Sequence, residues 1–173
     1  MTSPAQQGPS EENRTTAETP LHALPAFAGT PTGSPIVRHF AMHLPGDRRA
    51  LFLSRVWTRR MGTVLCWSGE VQRAVEVVAR LVDNAVRHGI PSSVPALEVQ
   101  LTLTLATDET GSLVIDVADL NPDLRDFDAA VRGERGRGLQ RVTLLGAQVS
   151  RFLPHEGDGK TVRAVLPPGP VDV

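Results

Sequence analysis

The apolar positions change period along the chain, and each change marks an element. Between residues 71 and 88, Ala74, Val75, Val78, Leu81, Val82, Ala85 and Val86 fall on one arc at about 100° per residue, the stripe of an amphipathic helix that faces a core. From Ala96 to Thr107 the period drops to two. Leu97, Val99, Leu101, Leu103 and Leu105 alternate with Glu98, Gln100, Thr102 and Thr104, the pattern of a half-buried strand. Asp108 to Gly111 supplies a turn, and "SLVIDVAD" (112–119) returns as the partner strand of a hairpin. Upstream, "IVRHFAMHL" (36–44) reads as a strand, Pro45-Gly46-Asp47 punctuates it, and "RRALFLSRVWTRRMG" (48–62) reads as a helix. Ser68 is placed to cap the long helix, which ends at Gly89.

Residues 120–138 hold Pro122, Gly133, Gly136 and Gly138 among charges. A loop of that length inside a compact domain is usually functional or disordered. A short helix "LQRVTLL" (139–145) and the strands "AQVSRFL" (147–153) and "TVRAVL" (161–166) complete the chain. The order β-α-α-β-β-loop-α-β-β predicts an α+β fold, a two-layer α/β sandwich with a mixed or antiparallel sheet and helices on one face.

Residues 1–34 are dense in Pro, Gly, Ser and Thr without apolar periodicity, so they cannot offset the entropy of ordering and read as a disordered tail. That leaves one domain over 35–168 and a short tail at 169–173, a domain size that 173 residues with 40% apolar content suit. The net charge of −1 excludes a global field for nucleic acid or an anionic membrane, so binding has to come from a local site. Cys66 is the only cysteine and cannot make an internal disulfide. The N-terminus lacks a signal-peptide pattern, and no apolar run approaches the roughly 18 residues of a membrane span. A reducing cytoplasm is the expected location, with no direct nucleic-acid contact and no membrane.

Opposite the core face of the long helix, Arg80, Asn84 and His88 are four apart and Arg87 is three from Asn84, so they form one polar stripe. Taken alone, the stripe reads as a solvated face. Asp119 ends a predicted strand, where its carboxylate suits an exocyclic amine or an Asx turn equally. The "GRG" of 136–138 opens a helix, where glycines let backbone approach a ligand and free amides attract phosphate; it also fits a plain loop end. Lys160, the chain's only lysine, fits a turn cation as well as a ligand contact.

In this order, "LVDNAVRHG" (81–89), "VIDVADLNPD" (114–123) and "GRGLQRVTLLGAQVSRF" with "GDGKTVRAVLP" (136–152 and 157–167) resemble the N, G1 and G2 boxes of the GHKL ATPases, which share the Bergerat or histidine kinase-like fold. The likeness is greatest to the small stand-alone anti-sigma factors and serine kinases, and it covers about residues 36–167. The resemblance implies that Asn84 holds a Mg²⁺ bridging nucleotide phosphates, that Arg87 approaches those phosphates and that His88 lines the site. It implies that Asp119 reads the adenine amine with Thr161 supporting the same edge, and that Gly136, Arg137, Gly138 and Leu139 supply lid amides. ATP or ADP with Mg²⁺ is then the expected cofactor, and a sigma factor or an anti-sigma antagonist the expected partner, with homodimerisation left open.

The match departs from the family at its chemical centre. Catalytic members carry a general-base glutamate four residues before the asparagine; here that position is Arg80, whose guanidinium cannot accept a proton at neutral pH. Glu76 lies one further turn back, about 6 Å along the helix axis. The family's Asp-x-Gly-x-Gly becomes Asp119-Leu120-Asn121-Pro122-Asp123. No phosphoacceptor helices precede the domain, so a self-contained sensor histidine kinase is not expected. Three readings follow: an ATP-binding regulator with weak or absent phosphotransfer, an active serine/threonine protein kinase using another base, and a nucleotide-free interaction domain. Arg80 ranks the first ahead of the second.

Overall fold

A computed structural model describes residues 21–22, 34–123, 126–153 and 159–169. Of the tail expected over 1–34, only Leu21, His22 and Ser34 are among them; of the C-terminal tail, only Gly169 is. In chain order the elements are β1 (Leu21–His22), β2 (Ile36–Pro45), α1 (Arg49–Val64), α2 (Val71–His88), β3 (Val99–Asp108), β4 (Leu113–Asp119), α3 (Phe127–Arg132), α4 (Gly138–Leu144), β5 (Gln148–Phe152) and β6 (Lys160–Leu166).

The main sheet is antiparallel throughout: β2 pairs with β3, β3 with β4, β4 with β6 and β6 with β5. The two residues of β1 pair parallel with the start of β3, so the sheet is mixed only there. Register decides which side chains share a face, because directly opposed residues project to the same side. One face carries the rungs Leu103–Val117–Val162 and Leu105–Ile115–Ala164, and all six side chains join the core built with α2 and α4. The core residues of α2 match its apolar period, with Val75, Val78 and Val82 fully buried. This is the α+β sandwich that the element order predicts.

Helix α1 reaches α2 through a different device. Ala50, Ser54, Thr58 and Gly62, spaced four apart, are its buried residues, and their small side chains bring the helices close. Asp47 accepts from the Arg49 amide at 2.8 Å, which satisfies one of the free donors at the helix start.

Four local expectations need correction. Helix α2 starts at Val71 after Glu70, with no side-chain cap, so Ser68 does not cap it. The first residues of the predicted strand 96–107 form a 3-10 turn, Ala96–Glu98, and Leu97 is 80% exposed rather than core. Thr102 and Thr104 are buried, so β3 is shielded on both faces. The loop over 120–138 contains α3, whose Phe127, Ala130 and Val131 pack against the core at helical spacing; its flanking glycines and charges mask that short apolar stripe.

Candidate functional site

The C-terminal half of α2, helix α3, the segment leading into α4 and the start of β6 enclose a cleft. One end, about 400 Å³, is bordered by Arg80, Asp83, Asn84 and Arg87 of α2 and by the segment from Arg135 through Leu139. The other end, about 390 Å³, is bordered by Asp126, Phe127, Lys160 and Val162 among others. Asn84, His88, Ala130, Arg135 and Leu139 border both, which makes the two ends one continuous cleft.

The first end is cationic. Arg80, Arg87, Arg135, Arg137 and Arg141 surround it, against the single carboxylate of Asp83. Arg87 is held by Asp83 at 3.0 Å, Arg135 by Asp126 at 3.4 Å, and Arg80 lies 4.0 Å from Glu76. Arg137 and Arg141 have no ion-pair partner among the described residues. Planar guanidiniums grouped in this way suit an oligophosphate, whose oxygens accept paired hydrogen bonds. Gly136 has φ +89, and a Cβ there would meet nothing within 4 Å; the backbone conformation, not crowding, is what requires glycine.

The second end has an apolar wall of Phe127, Ala130, Leu139 and Val162 and a polar floor. Lys160 is one of its polar residues, beside Asn84, His88, Asp123, Asp126 and Arg135. Its Nζ donates to Asp119 Oδ1 at 2.9 Å and to the Asn121 carbonyl at 2.8 Å. The Asn121 amide also donates to Asp119 Oδ1, and its side chain donates to the His88 carbonyl. The segment after β4 is thereby tied to the end of α2. Gly89 makes the approach possible, since a Cβ there would lie 2.3 Å from the Asp119 carboxyl carbon.

Asp119 is 1% exposed, and burial pushes its carboxyl up to about 6, although the charge and hydrogen bond of Lys160 and the Asn121 N–H pull the other way. Its Oδ2 is buried with no hydrogen-bond partner.

The structure gathers most of the residues singled out in the sequence and leaves two aside. Arg80, Asn84, Arg87, His88, Gly136, Arg137, Gly138 and Leu139 all border the cationic end. Asp119 borders neither end, being covered by Lys160. Thr161 opposes Ala118, so its side chain lies on the sheet face opposite Asp119, and its hydroxyl is buried without a partner. Lys160 is the residue opposite Asp119. Sequence reading left Lys160 between a turn cation and a ligand contact and passed over Arg135 and Arg141, for which the excess of arginine over 132–141 was the available signal. No three or more His, Cys, Asp or Glu side chains among the described residues form a group that could hold a metal ion. Asn84, the expected metal contact, borders the cleft.

No protein-family model and no curated protein sequence matches the chain. Solved structures do. The chain is similar to one from the SiaB–SiaC complex of Pseudomonas aeruginosa, with 15% identity, TM-score 0.53, and coverage of 76% of this chain and 89% of that one. It is also similar to the structure of the RsbU and RsbW domains of Rv1364c from Mycobacterium tuberculosis, with 15% identity and TM-score 0.51, over 76% of this chain and 32% of that one. A histidine kinase domain from Erythrobacter litoralis matches over 56% of this chain with 22% identity and TM-score 0.42. The chain shares its α+β fold with the first two of these structures.

Proposed function

We propose that residues 35–168 form a nucleotide-binding regulatory domain that holds a protein partner and has weak or absent phosphotransfer activity. The observation that carries this is the cleft itself, with five arginines at one end and an apolar wall at the other. An oligophosphate and a flat ring match those two ends. On the family resemblance the ligand is ATP or ADP with Mg²⁺, Asn84 being the residue that faces the metal and phosphates. The arginines supply much of the charge neutralisation that a metal provides elsewhere.

The partner class is a sigma factor or an anti-sigma antagonist, and the setting the cytoplasm. Support comes from the fold shared with chains of a SiaB–SiaC complex and of an RsbU–RsbW protein. No helix among the described residues is long and apolar enough to cross a membrane.

Impaired chemistry follows from the acceptor inventory. Arg80 borders the cationic end where a base belongs, Glu76 does not border it, and Asp83, the one carboxylate there, is engaged by Arg87. A second reading, an active serine/threonine kinase, needs Asp83 as its base.

Thermal melting with nucleotide tests the binding reading. A ligand at about 100 times its Kd stabilises the fold by roughly 2.7 kcal/mol, and an unchanged melting temperature at millimolar ligand returns the protein to the class of nucleotide-free interaction domains. Arg80→Glu then tests the chemistry: turnover rises above a near-background wild type by part of the roughly 10²–10⁴ that a general base supplies. Robust wild-type phosphorylation of a partner serine that is lost in Asp83→Asn establishes the kinase reading instead.

A further inference from the structure

We infer that a groove between α2 and α4, beside the cationic end of the cleft, docks the protein partner through an apolar side chain flanked by carboxylates, and that this partner and an oligophosphate in the cleft bind against each other. The inference deepens the proposed function by giving the partner a surface, and its second half rests on the reading of the cleft as an oligophosphate site.

Helices α2 and α4 pack together. Outside their contact lies a groove of about 240 Å³, bordered by Glu76, Arg80, Arg141, Leu144 and Leu145 and almost wholly apolar in lining. Long charged side chains reach that result by laying their hydrocarbon stems along a wall and keeping their heads in water. Leu145 packs against the core, whereas Leu144 is 76% exposed. Packing within the domain does not account for Leu144, since the buried residues of α4 are Leu139 and Val142. A lone exposed leucine is ordinary, but one that edges an apolar groove extends a surface suited to contact.

The charges around the groove say what fills it. Arg73, Glu76 and Arg80 follow one another on α2 at helical spacing, and Arg141 borders the groove from α4. Arg73 reaches the end of α4, where its Nη1 lies 3.7 Å from the place of a Cβ on Gly146. Three guanidiniums therefore stand against one carboxylate, that of Glu76, which lies 4.0 Å from Arg80 at the limit of an ion pair. A basic segment is repelled and a purely apolar one leaves the cations unanswered. The complement is a leucine-sized side chain with carboxylates on either side.

Arg80 and Arg141 border the cationic end of the cleft as well as the groove. Anions on the two sides draw on the same two guanidiniums, so filling one side weakens the other. Linkage makes the effect reciprocal. An exposed ion pair is worth up to about fivefold in affinity, which is the loss expected for each guanidinium diverted.

Titration of the isotope-labelled full-length chain with the peptide acetyl-Glu-Asp-Leu-Leu-Asp-Glu-amide, followed by NMR, tests this. Saturable shifts are expected at Glu76, Arg80, Arg141, Leu144 and Leu145, and none with a peptide whose leucines are serine or whose carboxylates are replaced by lysine. Leu144→Glu abolishes the shifts, and its exposed position leaves the fold intact. Saturating inorganic tripolyphosphate raises the peptide Kd by about fivefold or more. No saturable shift at millimolar peptide, or equal shifts with the serine peptide, overturns the docking surface. Unchanged peptide affinity under saturating tripolyphosphate overturns the antagonism. Tripolyphosphate that does not bind at all overturns the oligophosphate reading of the cleft, while peptide shifts in the groove still establish the docking surface.

Discussion

Strands β4 and β6 carry two buried pairs of carboxylate and cation, on opposite faces of the sheet and built to different standards. Asp116 and Arg163 are joined twice, Nε to Oδ1 at 2.7 Å and an Nη to Oδ2 at 2.6 Å, and Arg163 is fully buried. Asp119 and Lys160 are joined once, leaving, among the described residues, one carboxylate oxygen without a partner and one ammonium N–H uncommitted. Both carboxyls are pushed up by burial and pulled back by their cations. The contrast separates a pair that completes its own bonding from one with capacity left over. Of the two, only the second has a member, Lys160, at the cleft described above. Incomplete satisfaction of a buried pair, more than burial or charge, is what sets this end of the cleft apart.

The severest way to break that contrast is to cut the closed pair. Arg163→Met leaves Asp116 buried and alone, which costs about 3–5 kcal/mol, seen as a lower urea midpoint. Replacing both partners, Asp116→Leu with Arg163→Met, recovers much of that loss, because well-packed apolar pairs often substitute for buried ions without penalty. A single substitution costing under about 1 kcal/mol would mean that Asp116 is already neutral and the two pairs are alike.

The open pair shows itself in pH. Asp119 has its carboxyl raised in the folded state, from 3.8 to about 6, so its contribution to stability is complete below about pH 4 and is lost as pH rises through about 6. Asp119→Asn removes that titration. The stability of wild type minus that of Asp119→Asn therefore falls between about pH 4 and 6, by about 1.4 kcal/mol for each pH unit of displacement. Any fixed cost of the substitution cancels from this slope. Urea denaturation at four or five pH values measures it, and a flat difference excludes a raised Asp119.

The smallest effect belongs to an exposed pair at the other end of the cleft. Arg87 and Asp83 are spaced four apart on α2, with the Arg87 side chain 66% exposed. Arg87→Ala changes stability by only about 0.3–0.5 kcal/mol, yet it reduces the thermal shift given by tripolyphosphate. A large stability loss with unaltered ligand response would reverse the roles assigned to the exposed and the open pairs.

Much of the architecture was legible in the chain because it rests on period. The α2 stripe and the alternation in β3 each repeat often enough to outweigh local exceptions, and the resulting element order restricts the packing to a helix-covered sheet. The stripe from Arg80 to His88 was legible for the same reason: spacing on one helix fixes mutual position. The Asp119–Lys160 pair beside the cleft was not. Whether Lys160 or Thr161 stands beside Asp119 depends on the β4–β6 register, and a slip of one residue exchanges the faces; nothing local to residues 157–161 specifies it. Short elements failed differently. Helix α3 has six residues, too few for its period to stand out, and Leu97 broke the strand pattern through a 3-10 turn that alternation conceals.

Asp119 and Lys160 lie 41 residues apart in the chain yet face each other across adjacent strands. The chain between them must leave the sheet, form α3, α4 and β5, and return before the two can meet. Loop closure of that kind is entropically costly until the non-local pairing repays it, so such contacts form slowly during folding. The arginines of α2 come from one side of this excursion, those around Gly136 from within it, and Lys160 from its far end. A ligand spanning all three recognises only the completed topology and has nothing to hold in the folding transition state. On the proposed nucleotide reading, its stabilisation therefore falls on the unfolding rate: bound ligand is expected to make the domain slower to come apart without making it quicker to form.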